Sequence, residues 1–380
     1  MSTLSALGLA GALLAAGAMM MTPGCGSAEG ADAIKGAGAT TGTGAAGAAG
    51  GGPGGAAGAG GELGGAGGGG AGGEAGAPAF VPDPFQPPAG DVGQWSGKLP
   101  PGGLLDPDAT VYFPKSPAPG ETFPLVVFAH ESGVGDQAYE QSLAHLAKFG
   151  YVLASVEYEW NPLAQDHHAP VDSMLKAIDL LTKSPPEEIG AIADAGRVAA
   201  AGHGIGAKAA LWMALEGAPV QAVLALDPID DDQGMIPSDK RPSLTPEMMG
   251  AMAVPVLYLA TQLGPKGLTQ CVPGKSNACR FHEKTPPGAS SWLMVLESFG
   301  HMQLVDAYNC PACLTCERGP EPEHAPTLLV ARGLAVAFLQ YALKTESGYL
   351  PYLEGAPLAD LRSKNRVLDG EEQFAFCAEQ

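Results

Sequence analysis

The chain has 380 residues, 55 of them Gly, and its 40 acidic and 20 basic side chains give a formal net charge of −20. An acidic surface repels phosphate backbones, so nucleic acid is excluded as an expected partner. Composition changes along the chain, and only the part from Gln94 onward has the mixed apolar, aromatic and charged residues of a packed core.

The N-terminal segment resembles an export signal. Residues 4–21 are apolar and uncharged, and Cys25 follows them directly behind Thr22, Pro23 and Gly24. A small residue before such a cysteine resembles a bacterial lipoprotein processing site, which implies lipidation of Cys25. Two features depart from that pattern: no Lys or Arg precedes the apolar run, and Thr22 stands where Leu is usual. We predict a signal peptide at 1–24 and a lipid-anchored protein in the periplasm or at the cell surface, with an uncleaved anchor helix as the alternative.

A long segment separates this signal from the predicted domain. Residues 26–76 are almost wholly Gly and Ala, and Pro-rich sequence follows up to Pro88. A chain of this composition buries too little apolar area to offset the entropy lost on ordering. We therefore predict a disordered linker at 25–93 and one folded domain at 94–380.

Within that domain, short apolar runs alternate with segments of helical spacing. The run 125–129 is continuously apolar, which favours a strand covered on both faces. Predicted strands lie at 109–113, 125–129, 151–156, 197–201, 220–226, 256–260 and 292–297, and predicted helices at 139–149, 171–181, 207–215 and 327–343. Alternation of this kind predicts an α/β fold with a mostly parallel sheet, helices on both faces, and a ligand site at the carboxyl ends of the strands.

The turn after the strand 197–201 carries the most specific signal. It reads Gly202-His203-Gly204-Ile205-Gly206, and a strand, then G-x-?-x-G, then a helix is the context of the nucleophile elbow of α/β-hydrolases. The central residue of that turn is normally Ser, but here it is Gly204, which has no oxygen to form an acyl-enzyme. A dinucleotide-binding turn is the competing interpretation, although this turn does not belong to the first βα unit and Ala207 replaces the third glycine of that fingerprint.

The rest of a catalytic triad must follow the nucleophile in the order acid, then base. His301 comes just after the last predicted strand, where the base belongs. The strand 256–260 is followed by no carboxylate, so the acid must be Asp227 or Asp230, at the end of the strand before it.

Several segments resemble chlorophyllases in one order along the chain. Gly202-His-Gly-Ile-Gly-Ala-Lys208 is similar to the Gly-His-Ser-Arg-Gly-Gly-Lys segment of that family. Further similar segments are Pro124-Leu-Val-Val-Phe-Ala-His130, Leu226-Asp-Pro-Ile-Asp230, 255–264 and Phe299-Gly-His-Met-Gln-Leu-Val-Asp306. The resemblance spans about 105–343 and implies the α/β-hydrolase fold, a carboxylic ester hydrolase ancestry, and Asp227 as the acid. Related polyester and dienelactone hydrolases share the scaffold but match less of this detail.

The predicted oxyanion hole uses backbone N–H groups. One is that of Ile205, and the other comes from the loop after His130, at Glu131 or Ser132. Many relatives have Gly in the place of Glu131, and a carboxylate beside an oxyanion pocket opposes the charge that develops there.

These departures lead to three functional hypotheses. The first is a pseudo-hydrolase that binds a small apolar or ester-like ligand and is impaired or inactive as a serine esterase. The second is an active hydrolase in which His301 and Asp227 activate water, or in which Ser132 or His203 is a displaced nucleophile. The third is a structural surface lipoprotein. None of them implies a cofactor.

Setting Cys25 aside leaves six cysteines, an even number that predicts disulfides in an exported protein. Cys271 and Cys279 are close enough in sequence for a local bridge. A metal site in Cys310-Pro-Ala-Cys-Leu-Thr-Cys316 is the competing interpretation of the late cluster, but we predict no metal.

Overall fold

A computed structural model describes residues 81–103, 106–159, 165–230, 239–266, 271–309, 312–314 and 316–378 of the chain. The predicted signal peptide, Cys25 and most of the predicted linker lie outside these residues. The strands are β1 (Val92–Lys98), β2 (Asp108–Pro114), β3 (Phe123–Ala129), β4 (Val152–Val156), β5 (Ala193–His203), β6 (Ala222–Leu226), β7 (Val256–Thr261) and β8 (Ser291–Leu296). The helices are α1 (Glu140–Lys148), α2 (Ala169–Lys183), α3 (Glu187–Gly190), α4 (Ile205–Leu215), α5 (Ala278–Lys284), α6 (Glu321–Lys344), α7 (Pro351–Glu354), α8 (Ala356–Ser363) and α9 (Gly370–Ala378).

The strands form one sheet in the order β1-β2-β4-β3-β5-β6-β7-β8. The pairs β1–β2 and β2–β4 are antiparallel, and every later pair is parallel. The continuously apolar strand β3 lies inside the sheet and all seven of its residues are buried, as its composition predicts. Two apolar cores cover the opposite faces. The predicted α/β-hydrolase fold is therefore confirmed, and the carboxyl ends of the parallel strands meet at one edge.

The folded part of the chain begins earlier than composition suggests. β1 starts at Val92, so the predicted boundary between Gly93 and Gln94 falls inside this strand. Phe85, which precedes it, makes an edge-on ring contact with Tyr352 in α7, with ring centroids 5.9 Å apart. Composition could not predict the contact between Phe85 and Tyr352, because it joins residues that are far apart in the sequence.

The long apolar helix α6 covers one face of the sheet. Among the described residues it is the helix whose length and hydropathy would allow it to cross a membrane. However, 72% of its most apolar window is buried inside the fold, as in the core helix of a globular domain. The helix thus belongs to the hydrophobic core.

The cysteines pair over long distances in sequence. Disulfides join Cys271 to Cys316 and Cys279 to Cys377. The predicted local bridge between Cys271 and Cys279 is therefore wrong, because a contact between the C-terminal helix α9 and the segment before α5 brings Cys377 beside Cys279. The metal interpretation of the late cluster also fails, since Cys316 is bonded to sulfur and supplies no thiolate. Disulfides are typical of proteins that fold outside the reducing cytosol.

We expect the bond between Cys279 and Cys377 to stabilise the domain strongly. It closes a loop with a sequence separation of 98, for which chain entropy gives about 4–5 kcal/mol. The double replacement Cys279→Ser with Cys377→Ser should lower the free energy of unfolding by about 2–5 kcal/mol, measured by urea denaturation without reductant. A loss below about 1 kcal/mol would show that α9 is held by packing alone.

Candidate active site

The turn between β5 and α4 is a sharp elbow. Gly204 has φ +56° and ψ −112°, a conformation that side chains rarely adopt, and such strain is concentrated at functional sites. Gly202 and Gly206 permit the turn because a Cβ on either would overlap backbone atoms of Gly206 or Ala129 respectively. The turn therefore has the nucleophile-elbow geometry that the sequence predicts, with no side chain at its apex.

His301 and Asp227 meet beside this elbow. The Oδ2 atom of Asp227 lies 3.0 Å from Nδ1 of His301, and the two residues are 1% and 3% exposed. Thr261, at the end of β7, donates to Asp227 from its hydroxyl at 2.7 Å and from its N–H at 3.1 Å. The acid thus comes from the end of β6, and the neighbouring strand β7 supplies the hydroxyl that orients it. Sequence reasoning found no carboxylate after β7 and missed this role of Thr261.

Asp230, the alternative acid, has a different function. Its carboxylate accepts hydrogen bonds from the N–H of Leu244 at 2.6 Å and the hydroxyl of Ser243 at 2.6 Å. It also accepts bonds from the N–H and hydroxyl of Thr245. Asp230 therefore holds the 243–245 segment, and the geometry favours Asp227 as the partner of His301.

The carboxylate of Glu131 fills the space where a nucleophile's side chain would stand. A Cβ built on Gly204 would overlap Oε2 of Glu131 and would lie 3.2 Å from Cε1 of His301. The same Oε2 accepts a hydrogen bond from the N–H of Ile205 at 2.9 Å, and Oε1 accepts one from the N–H of Ser132 at 2.7 Å. Two of the predicted oxyanion donors thus bind the Glu131 carboxylate. Glu131 and Gly204 fit together sterically, which sequence reasoning did not anticipate.

The loop that carries Glu131 is held by aromatic residues. The backbone N–H of Glu131 donates to the hydroxyl of Tyr139 at 3.3 Å, and that hydroxyl lies 2.7 Å from Nδ1 of His203. The hydroxyl of Tyr158 donates to the carbonyl oxygen of His130 at 2.9 Å. Tyr139 and Tyr158 were not singled out from the sequence, because their role depends on contacts across the fold.

His301 lies between two carboxylates. Its Nε2 is 3.5 Å from Oε2 of Glu131, on the side opposite Asp227. Burial lowers the pKa of His301, but the hydrogen bonds and charges of Asp227 and Glu131 outweigh burial and raise this pKa to about 9. At neutral pH the imidazole is therefore protonated and does not accept a proton from a nucleophile.

The two candidate displaced nucleophiles have other partners. The hydroxyl oxygen of Ser132 accepts a hydrogen bond from the amide of Gln165 at 2.6 Å. The ring of His203 is buried beside that of His301, with centroids 4.4 Å apart, and burial together with the nearby His301 holds the pKa of His203 well below its ordinary value. Their roles as nucleophiles stay predictions, but neither side chain occupies the apex of the elbow.

An apolar cavity of about 40 Å³ lies next to the site. Its walls include Tyr139, which contacts the Glu131 loop, and Leu226, which precedes Asp227. A larger open groove of about 340 Å³ lies beside Lys148 and Lys344. Neither cavity is lined by Glu131, Gly204, Asp227 or His301. In the part of the chain that the structure describes, no group of three or more His, Cys, Asp or Glu side chains is arranged to hold a metal ion.

The sheet order, the elbow after β5 and the His–Asp pair at the strand ends together define an α/β-hydrolase. The Chlorophyllase family model matches residues 107–357, about two thirds of the chain. The chain therefore belongs to the chlorophyllase family.

Curated relatives agree with this assignment. Chlorophyllase-1 of Arabidopsis thaliana is 24% identical over 244 residues, which covers 60% of this chain and 74% of that protein. The chloroplastic Chlorophyllase-1 of Citrus unshiu is 22% identical over 241 residues, with 59% and 70% covered.

Proposed function

We propose that this chlorophyllase-family protein is a pseudo-hydrolase, inactive as a serine esterase, that binds a small apolar or ester-like ligand. The observation that carries the proposal is the Glu131 carboxylate in the nucleophile's space, bound to the N–H of Ile205. Loss of the nucleophile alone costs on the order of 10⁶ in turnover in a serine hydrolase.

We expect the purified protein to hydrolyse p-nitrophenyl butyrate no faster than its His301→Ala variant. The elbow has no hydroxyl, and the protonated imidazole of His301 is not a base at neutral pH. Initial rates at pH 7.5, corrected for the buffer reaction, measure this. Turnover at the rate of an ordinary esterase, abolished by His301→Ala, would contradict the proposal.

Hydrolysis without the elbow serine is the second candidate function. The 3.0 Å contact between His301 and Asp227 favours it, because such a pair activates water once the imidazole is neutral. Two mechanisms are open to such a hydrolase: a displaced nucleophile, or water activated by His301 and Asp227. A fluorophosphonate probe followed by intact-mass analysis distinguishes them. An adduct mapped to Ser132 indicates a displaced nucleophile, whereas slow turnover without an adduct indicates activated water.

The proposed location is the cell envelope, with Cys25 lipidated and the Gly/Ala-rich segment as a tether to the membrane. The support is the apolar N-terminal segment and the two disulfides. Metabolic labelling with an alkyne fatty acid tests lipidation, and Cys25→Ala should abolish the label. A structural surface lipoprotein remains the third hypothesis, and it predicts that no small ligand binds.

A further inference from the structure

Three donors converge on one carboxylate in the site. The N–H groups of Ile205 and Ser132 bind the two oxygens of Glu131, and Nε2 of His301 lies 3.5 Å from Oε2. Glu131 is 6% exposed, so these contacts form away from bulk water, where hydrogen bonds to a charged oxygen are strong. The arrangement is a carboxylate-binding site whose present occupant belongs to the same chain.

The occupant is able to leave while the site persists. The donors belong to the first turn of α4, to the backbone of the β3–α1 loop and to the loop after β8, whereas the Glu131 carboxylate sits at the end of a flexible side chain. Ser132 is only partly buried and Gly133 is exposed, so the loop faces solvent directly beside Glu131. Rotation of the Glu131 side chain would leave two amide N–H groups, the imidazole and the empty space above Gly204 for another group.

We propose that this site binds a carboxylic acid and that Glu131 is its internal competitor. The inference rests on the proposed ligand-binding function and names the ligand as the acid rather than the ester. An acid presents two charged oxygens to the donors that now hold both oxygens of Glu131, while an ester has one neutral carbonyl oxygen to offer.

An internal competitor weakens the measured affinity by the fraction of molecules in which the site is open. Each of the two hydrogen bonds that hold Glu131 has a charged acceptor, and such bonds are stronger than those between neutral groups. The open fraction is therefore on the order of a tenth or less, since a tenfold ratio corresponds to about 1.4 kcal/mol. Removal of the Glu131 carboxylate should strengthen binding of a free carboxylate at least tenfold.

The test compares sodium octanoate with methyl octanoate by isothermal titration calorimetry, using the full mature chain. Glu131→Gly should lower the dissociation constant for octanoate at least tenfold relative to wild type, and Glu131→Gln should lower it less, because an amide is a weaker competitor. Glu247→Gln, which removes an exposed carboxylate, is the matched control and should leave the constant unchanged. Adding His301→Gln to Glu131→Gly should remove most of the gain.

Two results would overturn the inference. One is an octanoate affinity that does not change when Glu131 is replaced by either Gly or Gln in a folded protein. The other is equal strengthening for octanoate and methyl octanoate, which would leave the proposed ligand-binding function intact but reject the acid as its ligand. Failure of the proposed function is visible separately, as esterase turnover by the wild-type protein. Circular dichroism checks the fold of each variant, and Glu131→Gln carries the test if Glu131→Gly does not fold.

Discussion

The double replacement Gly204→Ser with Glu131→Gly should create an esterase, whereas Gly204→Ser alone should not. We expect the double variant to hydrolyse p-nitrophenyl butyrate about 10³-fold or more faster than wild type, and Gly204→Ser alone to stay within about tenfold of it. A nucleophile, its base and the oxyanion donors act as a unit, so restoring one part while another is blocked recovers little.

Glu131 should prevent activity in the single variant Gly204→Ser for a steric reason and an electrostatic reason. A Cβ at position 204 overlaps Oε2 of Glu131, so the new side chain competes with the carboxylate for space and for the N–H of Ile205. Asp227 and Glu131 together raise the pKa of His301 to about 9, so Glu131 helps to keep the imidazole protonated at neutral pH, and a protonated imidazole does not activate a hydroxyl. Removing Glu131 frees both amides and leaves Asp227 as the close carboxylate partner of His301.

Two controls make this result interpretable. Asp227→Asn in the double-variant background should remove most of the gained activity, because the imidazole then loses its orienting carboxylate. A fluorophosphonate should label position 204 in the double variant and leave the wild type unlabelled there. Equal activity of the single and double variants would show that Glu131 does not block the site. A folded but inert double variant would show that the elbow, the dyad and the amides are not catalytically aligned.

The second large effect concerns stability as a function of pH. The pKa of His301 is about 9 in the folded protein and about 6.5 in the unfolded chain, so folding takes up a proton between these values. The contribution of the protonated His301 to stability is fully present below pH 6.5 and is lost as pH rises through 9. It amounts to about 3 kcal/mol, at roughly 1.4 kcal/mol per pKa unit.

Urea denaturation at pH 6, 7.5 and 9 measures this loss, and the His301→Gln variant provides the reference. Burial lowers the pKa of Lys344 to about 8, which acts in the opposite direction above that pH, because the folded state then binds fewer protons than the unfolded chain. Lys344 is present in both proteins, so the difference between their pH profiles isolates His301. Parallel profiles would show that the imidazole is not held in its charged form. Glu131→Gln should reduce the loss, because one of the two carboxylates becomes neutral.

The strand and helix pattern was readable from the sequence because it is local. β3 is continuously apolar as a strand buried on both faces must be, and the predicted strand 256–260 agrees with β7 to within one residue. The edge strand β1 was not predicted. Its residues are half-buried or exposed, and its sequence of Gly and polar residues lacks the apolar pattern that indicates a strand. The C-terminal helices α7 to α9 were also missed, being short and stabilised by packing more than by their own pattern.

By itself, the sequence determined that a Gly stands at the apex of an elbow and that His301 follows the last strand. Both features are local, because a tight turn and the end of a strand depend on residues adjacent in the sequence. The tertiary structure placed Asp227 against His301, paired Cys279 with Cys377, and set the Glu131 carboxylate against the N–H of Ile205, 74 positions along the chain. Each of these outcomes is a contact between residues distant in sequence that only the folded domain brings together. A local pattern records which residue types are present, whereas the charge, space and hydrogen bonds they share arise from the packing of the whole domain.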